Sequence, residues 1–249
     1  MIKRGLSLLC LYFSTMTQAQ KRLNRVIKLT RDDISRTAKL IHDAFPVEST
    51  HSWARAVGLQ SSNLEYWLRE MYLKKPIEIE DIGCFGITFK EDLIGVIISE
   101  RFPILKVDKI EIEEKEEEKV EVDPLLNYAY SSFDALIDAG KDVVRNELKK
   151  KNENEKTILV GYVSWIATNE THRGQGIADE LIKIATNSMR DRGYKYSTAF
   201  CVSPTATRAF NRQGYNSWKD IKYSEFDVNG NKPFAILPDS LSIMVKKLS

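Results

Sequence analysis

The chain has 249 residues, 43% of them apolar and 29% charged, with 37 Lys plus Arg against 35 Asp plus Glu and a formal charge of +2. Those proportions suit a globular chain and exclude a disordered or collagen-like polymer; the near-neutral balance argues against a nucleic-acid binder, whose contact face is strongly basic. Three cysteines, Cys10, Cys84 and Cys201, are too few and too scattered for a disulfide framework or a zinc site, so no metal is expected and a reducing compartment is the simpler reading.

Lys3 and Arg4 precede an apolar run, Leu6 to Phe13, and then a small polar stretch, Ser14 to Gln20. That layout is signal-like, but it equally fits an N-terminal extension with translation starting at Met16. The run is too short to span a bilayer as a helix. Residues 1–20 are therefore set apart from the folded domain, expected over 21–249.

Thr30 with Asp33 forms a capping-box signature, and Ile34, Ala38, Ile41 and Phe45 follow at helical spacing. A helix is predicted over 31–44, stopped by Pro46. Ser62 with Glu65 repeats the signature, Leu64, Trp67, Leu68 and Met71 make an apolar face, and Pro76 is expected to end this second helix. Cys84 to Phe89 and Leu93 to Ser99 read as a β-hairpin joined by Lys90-Glu91-Asp92. Seven glutamates crowd positions 111–121, so about 106–124 reads as a solvated acidic insertion, with an acidic docking tail as the sharper alternative.

Residues 131–149 read as a helix with Phe133, Leu136, Val143 or Val144, and Leu148 on one side. Thr157 to Thr168 is one long strand. Ile177, Leu181, Ala185 and Met189 mark a helix closed by Gly193. Lys195 to Val202 is a strand, 205–212 a short helix ending at Gly214-Tyr215, and Trp218 to Val228 and Leu241 to Leu248 two more strands. The mixture predicts an α/β (α+β) single domain, a mixed sheet flanked by helices.

Arg173-Gly174-Gln175-Gly176-Ile177-Ala178 lies between a strand and a helix. The first amides of a helix have no internal partner and its dipole favours an anion there. The two glycines let backbone approach a ligand, and Arg173 adds a charged donor. A Walker loop needs Gly-Lys-Ser/Thr, which is absent. A dinucleotide loop needs Gly or Ala where Asp179 stands and an acid about 20 positions on, where Lys195, Tyr196 and Ser197 stand. Arg/Gln-x-x-Gly-x-Gly/Ala, suited to the pyrophosphate of coenzyme A, fits at Arg173, Gly176 and Ala178.

On these residues, and on Thr205 to Tyr215 as a later motif, the sequence resembles the GNAT acyltransferase superfamily over about 26–248. The resemblance implies a splayed sheet with acetyl-CoA between two central parallel strands, and cofactor contacts from Ile166, Ala167 and Thr168 as well as Arg173 to Ala178. Phe45-Pro46-Val47-Glu48-Ser49 followed by Ala56-Val57-Gly58-Leu59 resembles, more narrowly, the arylalkylamine (dopamine-type) N-acetyltransferases. That match implies Glu48 as the carboxylate that takes the amine's proton. The family often places a Tyr acid where this chain has Phe210, a departure that leaves Ser203, Thr207 or a water to protonate the leaving thiolate.

His172 is expected to contact backbone or phosphate, and His51 to be available to a proton relay. Trp53, Tyr66, Trp67 and Tyr72 offer an aromatic amine pocket, with Trp67 better suited to the core. Cys201 reads as packing. The reading is an acetyl-CoA-dependent N-acetyltransferase for a small, aromatic or other, alkylamine. Protein Lys or N-terminal acetylation, a non-catalytic acyl-CoA binder and a secreted cofactor-free protein stand as alternatives. The expected chain is a cytoplasmic monomer without nucleic-acid or membrane partners.

Overall fold

The computed structural model describes residues 24–45, 52–79, 82–102, 105–106, 124–151 and 157–248. Strand β1 (Asn24–Lys28) leads into a 3-10 turn, Arg31–Asp33, and helix α1 (Ile34–Ala44). The predicted capping box is formed: the Asp33 carboxylate accepts the Thr30 amide at 2.7 Å and the Thr30 hydroxyl at 3.0 Å. A short helix α2 (Trp53–Ala56) follows.

The second predicted helix does not stop at Pro76. Helix α3 (Ser61–Trp67) passes through a π-helical stretch, Leu68–Leu73, into α4 (Lys74–Ile79). A proline ring clashes with the carbonyl four residues earlier and lacks an N–H. The widened turn just ahead of Pro76 accommodates both defects, so the helix continues.

Strands β2 (Phe85–Phe89) and β3 (Asp92–Arg101) form the predicted hairpin, with Phe89 opposite Asp92. The two linking residues, Lys90 and Glu91, both have positive φ, 48° and 69°, which matches the twist of the strands. Most of the acidic insertion, 107–123, lies outside the described residues. Strand β4 (Leu105–Lys106) pairs only with β5 (Thr157–Ile158). Helix α5 (Pro124–Lys151) begins seven residues before the predicted start, and Val144 rather than Val143 is its buried valine.

The strand expected over 157–168 is interrupted at Leu159, so β6 runs Val160–Thr168. Helix α6 (Ile177–Asp191), β7 (Tyr196–Cys201) and α7 (Pro204–Arg212) follow. Gly193 ends α6 as predicted: its φ is +81°, and the Gly193 and Tyr194 amides close on the Arg190 and Met189 carbonyls at 2.9 and 3.1 Å. Strand β8 covers Asn216–Lys222 and β9 Ser240–Lys247. The strand expected over 218–228 thus stops six residues early. From Tyr223 the backbone turns away through Glu225 and Phe226 amide bonds to Lys222.

Seven strands make one sheet in the order β1-β2-β3-β6-β7-β9-β8. Neighbours are antiparallel except β6 and β7, which are parallel and joined through α6. Helices cover both faces. One buried layer packs Ile41, Trp67, Leu68 and Leu136 against Val96, Ile98 and Tyr162. The other packs Leu181, Ala185 and Phe210 against Ile97, Val163 and Ala199. The predicted mixed sheet flanked by helices is the observed fold. Among the described residues no helix is long and apolar enough to cross a membrane.

Candidate active site

The central parallel pair holds register only from Val160–Tyr196 to Val163–Ala199. A bulge at Ser164 then shifts the pairing of β6 with β3, from Trp165–Ile98 to Val163–Ser99. Bulges bend and twist a strand. Beyond this one, β6 stays on β3 while Phe200 and Cys201 stay on β9. The two strands therefore part, and the gap opens into a cavity of about 1310 Å³. Ser164 to Thr168 present the free edge of β6 to it.

The loop from β6 to α6 meets the same cavity. Gly174 and Gly176 have φ of +77° and +81°, conformations that favour glycine, and no atom lies within 4 Å of where either Cβ would be. The first intrahelical amide bond of α6 is Glu180 to Gly176 at 3.0 Å, so the amides of Ile177, Ala178 and Asp179 precede it. The loop thus brings a helix N-terminus to the mouth of the cleft, an arrangement that receives an anion. Of the nine residues expected at the cofactor, Ile166, Ala167, Thr168, Arg173, Gly174, Gly176, Ile177 and Ala178 line this cavity; Gln175 is half-buried beside it. Arg173 is folded back: its guanidinium donates to the Ala44 carbonyl at 3.4 Å and lies 3.9 Å from Glu170.

Asp179 carries a negative charge in the first turn of α6. Arg212 of α7 clasps it with two 3.0 Å hydrogen bonds, and Gln213 adds a third at 3.2 Å. The Arg212 contact holds the Asp179 carboxyl below the usual range. Neither partner stands out in sequence, since they are far apart in the chain and meet only when α6 and α7 pack.

Glu48 and His51 lie outside the described residues. Ser203 lines the cavity and caps α7, its Oγ accepting the Ala206 amide at 3.3 Å. That contact uses an oxygen lone pair and leaves the hydroxyl proton for another acceptor. Phe210 also lines the cavity, its ring 4.9 Å from Tyr215. Tyr215 is turned inward, bonded to Ser197 at 2.6 Å and Thr186 at 3.0 Å, and burial pushes its pKa up. Cys201 is buried, and burial raises its thiol to about 12. It remains a protonated packing group at neutral pH.

The aromatic wall differs from the expected one. Trp53 lines the cavity and Trp67 is wholly buried behind it at 4.8 Å, in the core as expected, whereas Tyr66 is exposed. The Tyr72 side chain lies outside the described residues. Phe133 of α5 stacks on Trp53 at 4.3 Å and faces Trp165 at 6.4 Å, with Phe45 edge-on to Trp165 at 6.1 Å. The helix that supplies Phe133 sits beside an insertion, where sequence spacing carries no hint of proximity to the cleft. His172 also lines the cavity, its Nδ1 2.9 Å from the Thr171 hydroxyl.

Residues 150–216 match the family model of the acetyltransferase (GNAT) domain. No curated protein matches the chain by sequence. Solved structures match its fold. The chain is similar to the C-terminal condensation domain of Ebony in complex with beta-alanyl-dopamine, with 12% identity over 90% of this chain and 98% of that one and a TM-score of 0.64. It is similar to the Drosophila melanogaster polyamine N-acetyltransferase, with 13% identity over 90% and 99% and a TM-score of 0.62. It is also similar to arylalkylamine N-acetyltransferase 2 of Aedes aegypti, with 17% identity over 91% and 99% and a TM-score of 0.56. The fold is that of a GNAT acetyltransferase domain.

Proposed function

We propose that the protein is an N-acetyltransferase that moves an acetyl group from acetyl-CoA to a small alkylamine. The observation that carries this reading is the opening of the parted β6–β7 edge and the N-terminus of α6 into one cavity. The amides of Gly174 to Asp179 are suited to the diphosphate, the edge of Ile166 to Thr168 to an extended amide-bearing arm. Acetyl-CoA supplies the activated acetyl group. The aromatic wall of Trp53, Phe133 and Trp165 favours an amine with a flat or apolar body. The solved arylalkylamine and polyamine acetyltransferases that share the fold support an amine as acceptor.

An alkylammonium has a pKa near ~10, so at pH 7 about one part in 10³ is free amine, a penalty of roughly 4 kcal/mol. A carboxylate near the nitrogen lowers the barrier to that deprotonation by accepting the proton as a general base. Glu48 is assigned this role from the resemblance of its segment. The amine nitrogen bonds to the acyl carbon, the carbon–sulfur bond breaks, and the thiolate leaves. The Ser203 hydroxyl, at the cavity and with its proton uncommitted to the cap, is assigned to pass a proton to it and to be reprotonated by the second proton that the nitrogen sheds as the amide forms.

Calorimetry with acetyl-CoA, followed by thiol release with a panel of small amines and peptides, tests the reading. The expected result is binding, weakened by Arg173→Glu, and release with amines. Absence of heat on folded protein overturns the reading. Binding without release on any acceptor leaves the non-catalytic acyl-CoA binder in its place. Glu48→Gln should lower turnover and leave acetyl-CoA affinity unchanged.

A further inference from the structure

We infer that Glu100, on β3, is a second carboxylate that handles the acceptor's proton, reached from the amine directly or through one water. The inference rests on the acetyltransferase reading and adds a residue to it. Val96, Ile98 and Phe102 of β3 point into the helix-covered core. Strand alternation puts Glu100 in that same row, between Ile98 and Phe102. A carboxylate inside an otherwise apolar row breaks the pattern that folding alone favours, and such breaks concentrate at functional positions.

The surroundings match the role. Glu100 is half-buried and lines the cleft cavity. Its register partner across the sheet is Tyr162, so the two side chains share a face. Tyr162 in turn lies 4.9 Å from the Phe200 ring and 6.3 Å from Phe102. Along β6, Tyr162 stands two residues before Ser164, where the strands part, a rise of about 7 Å. That span fits one water or the body of a short amine. A group carried on an internal strand is also held more firmly than one on a loop.

The charged and titratable groups around Glu100 come from several elements. Burial, then Glu100, raises the Tyr162 hydroxyl far above its usual pKa, so it stays a proton donor. Burial raises Cys84 to about 11, Glu100 adding to the rise and Lys28 opposing it. Cys201 acts on Tyr162 in the same direction as Glu100. Asp134 and Lys141 of α5 face the same cavity. Among the described residues lining the cavity the other carboxylates are Asp134 and Asp179, both carried on helices. Glu100 is therefore the strand-borne carboxylate placed to take the ammonium's proton before the freed nitrogen bonds to the acyl carbon and the carbon–sulfur bond breaks, so that Glu48 and Glu100 lie on one proton path and loss of either slows it. It then passes the proton to water through the cavity.

The test uses the full chain with acetyl-CoA and two probes, 2-phenylethylamine and 1,4-diaminobutane, followed by thiol release from pH 6 to 10. Glu100→Gln should lower kcat/KM for amine by about 10²-fold at pH 7, with acetyl-CoA affinity unchanged by calorimetry. The deficit should shrink by about tenfold per pH unit as free amine accumulates, and close near pH ~9, just below the amine's pKa. Glu100→Asp should keep most of the neutral-pH rate. A Glu100→Gln profile superimposable on wild type, or a deficit that does not shrink with pH, overturns the inference and leaves the acetyltransferase reading intact. So does a deficit confined to Glu48→Gln. If Glu100→Gln fails to bind acetyl-CoA, Glu100→Asp decides: retained neutral-pH rate supports the inference, its loss overturns it. Wild-type protein that acetylates no amine overturns both.

Discussion

Gly95→Ala should loosen the proposed anion site from the far side of the helix that forms it. Gly95 lies on β3 opposite Thr168 of β6. An added Cβ would sit 2.5 Å from Cγ2 of Ile177 and 3.1 Å from Cδ1 of Leu181. Both side chains are buried, and Ile177 is the first residue of α6. A β-branched residue in a helix holds one χ1 rotamer, so the methyl cannot swing aside and the first turn of α6 must lift by about 1 Å to restore an ordinary contact. Overpacking costs about 1–3 kcal/mol. Removing a strand glycine returns about 0.5–1 kcal/mol. The net loss is about 1–2 kcal/mol, or a Tm lower by roughly 2–8 °C for a chain of this size. The lifted turn carries the amides of Ile177 and Ala178, so acetyl-CoA affinity should fall by about tenfold, the equivalent of about 1.4 kcal/mol. Thermal melting and calorimetry read the two effects. Adding Ile177→Ala removes the clashing methyl, so the double variant should lose at least ~1 kcal/mol less than the sum of the singles. An unchanged Tm with unchanged affinity, or strict additivity, would refute the reasoning.

Arg212→Ala leaves the Asp179 charge unneutralised beside the proposed diphosphate site. Acetyl-CoA affinity should fall about tenfold by calorimetry, and Asp179→Asn in that background should recover it. Gly176→Ala should cost about 1–2 kcal/mol from its left-handed backbone, with no clash to relieve; Gly176→Asn should cost less, as chemical denaturation would read. Asp33 supports the start of α1. Burial alone would push its carboxyl up, but the Thr30 amide, Arg36 and the Thr30 hydroxyl outweigh this and hold it low. Its stabilisation is therefore present above the unfolded value near ~3.9 and lost as pH falls through the lower folded value. Asp33→Asn should lower Tm at pH 7, and the two melting curves should draw together as pH falls through the folded value of Asp33.

The backbone chemistry of the loop from β6 to α6 is legible in the order of its residues. Arg173 to Ala178 carry their meaning in backbone preference: glycine at two left-handed positions and a helix start just after. The capping box at Thr30 and Asp33, the Gly193 cap and the hairpin at Lys90 and Glu91 are equally readable, because each involves residues within a few positions of one another. Pro76 misleads for the complementary reason. A proline's local penalty is real, but a π-helical turn whose buried Leu68 and Leu73 pack on the core absorbs it. The length of β8 is likewise decided by where Tyr223 and Phe234 find cover.

Order along the chain determined most of the short helices and strands and the glycine loop before α6, since those depend on near neighbours and on periodicity. Only the tertiary structure decided who lines the cleft. Phe133 reaches it because α5 packs over the sheet, Arg212 meets Asp179 because α6 and α7 pack, and Glu100 lines it because β3 pairs with β6, which sets Glu100 opposite Tyr162. Such meetings span tens to more than a hundred residues of chain, and they arise from the burial of two apolar sheet faces at once, a constraint that no window of sequence contains.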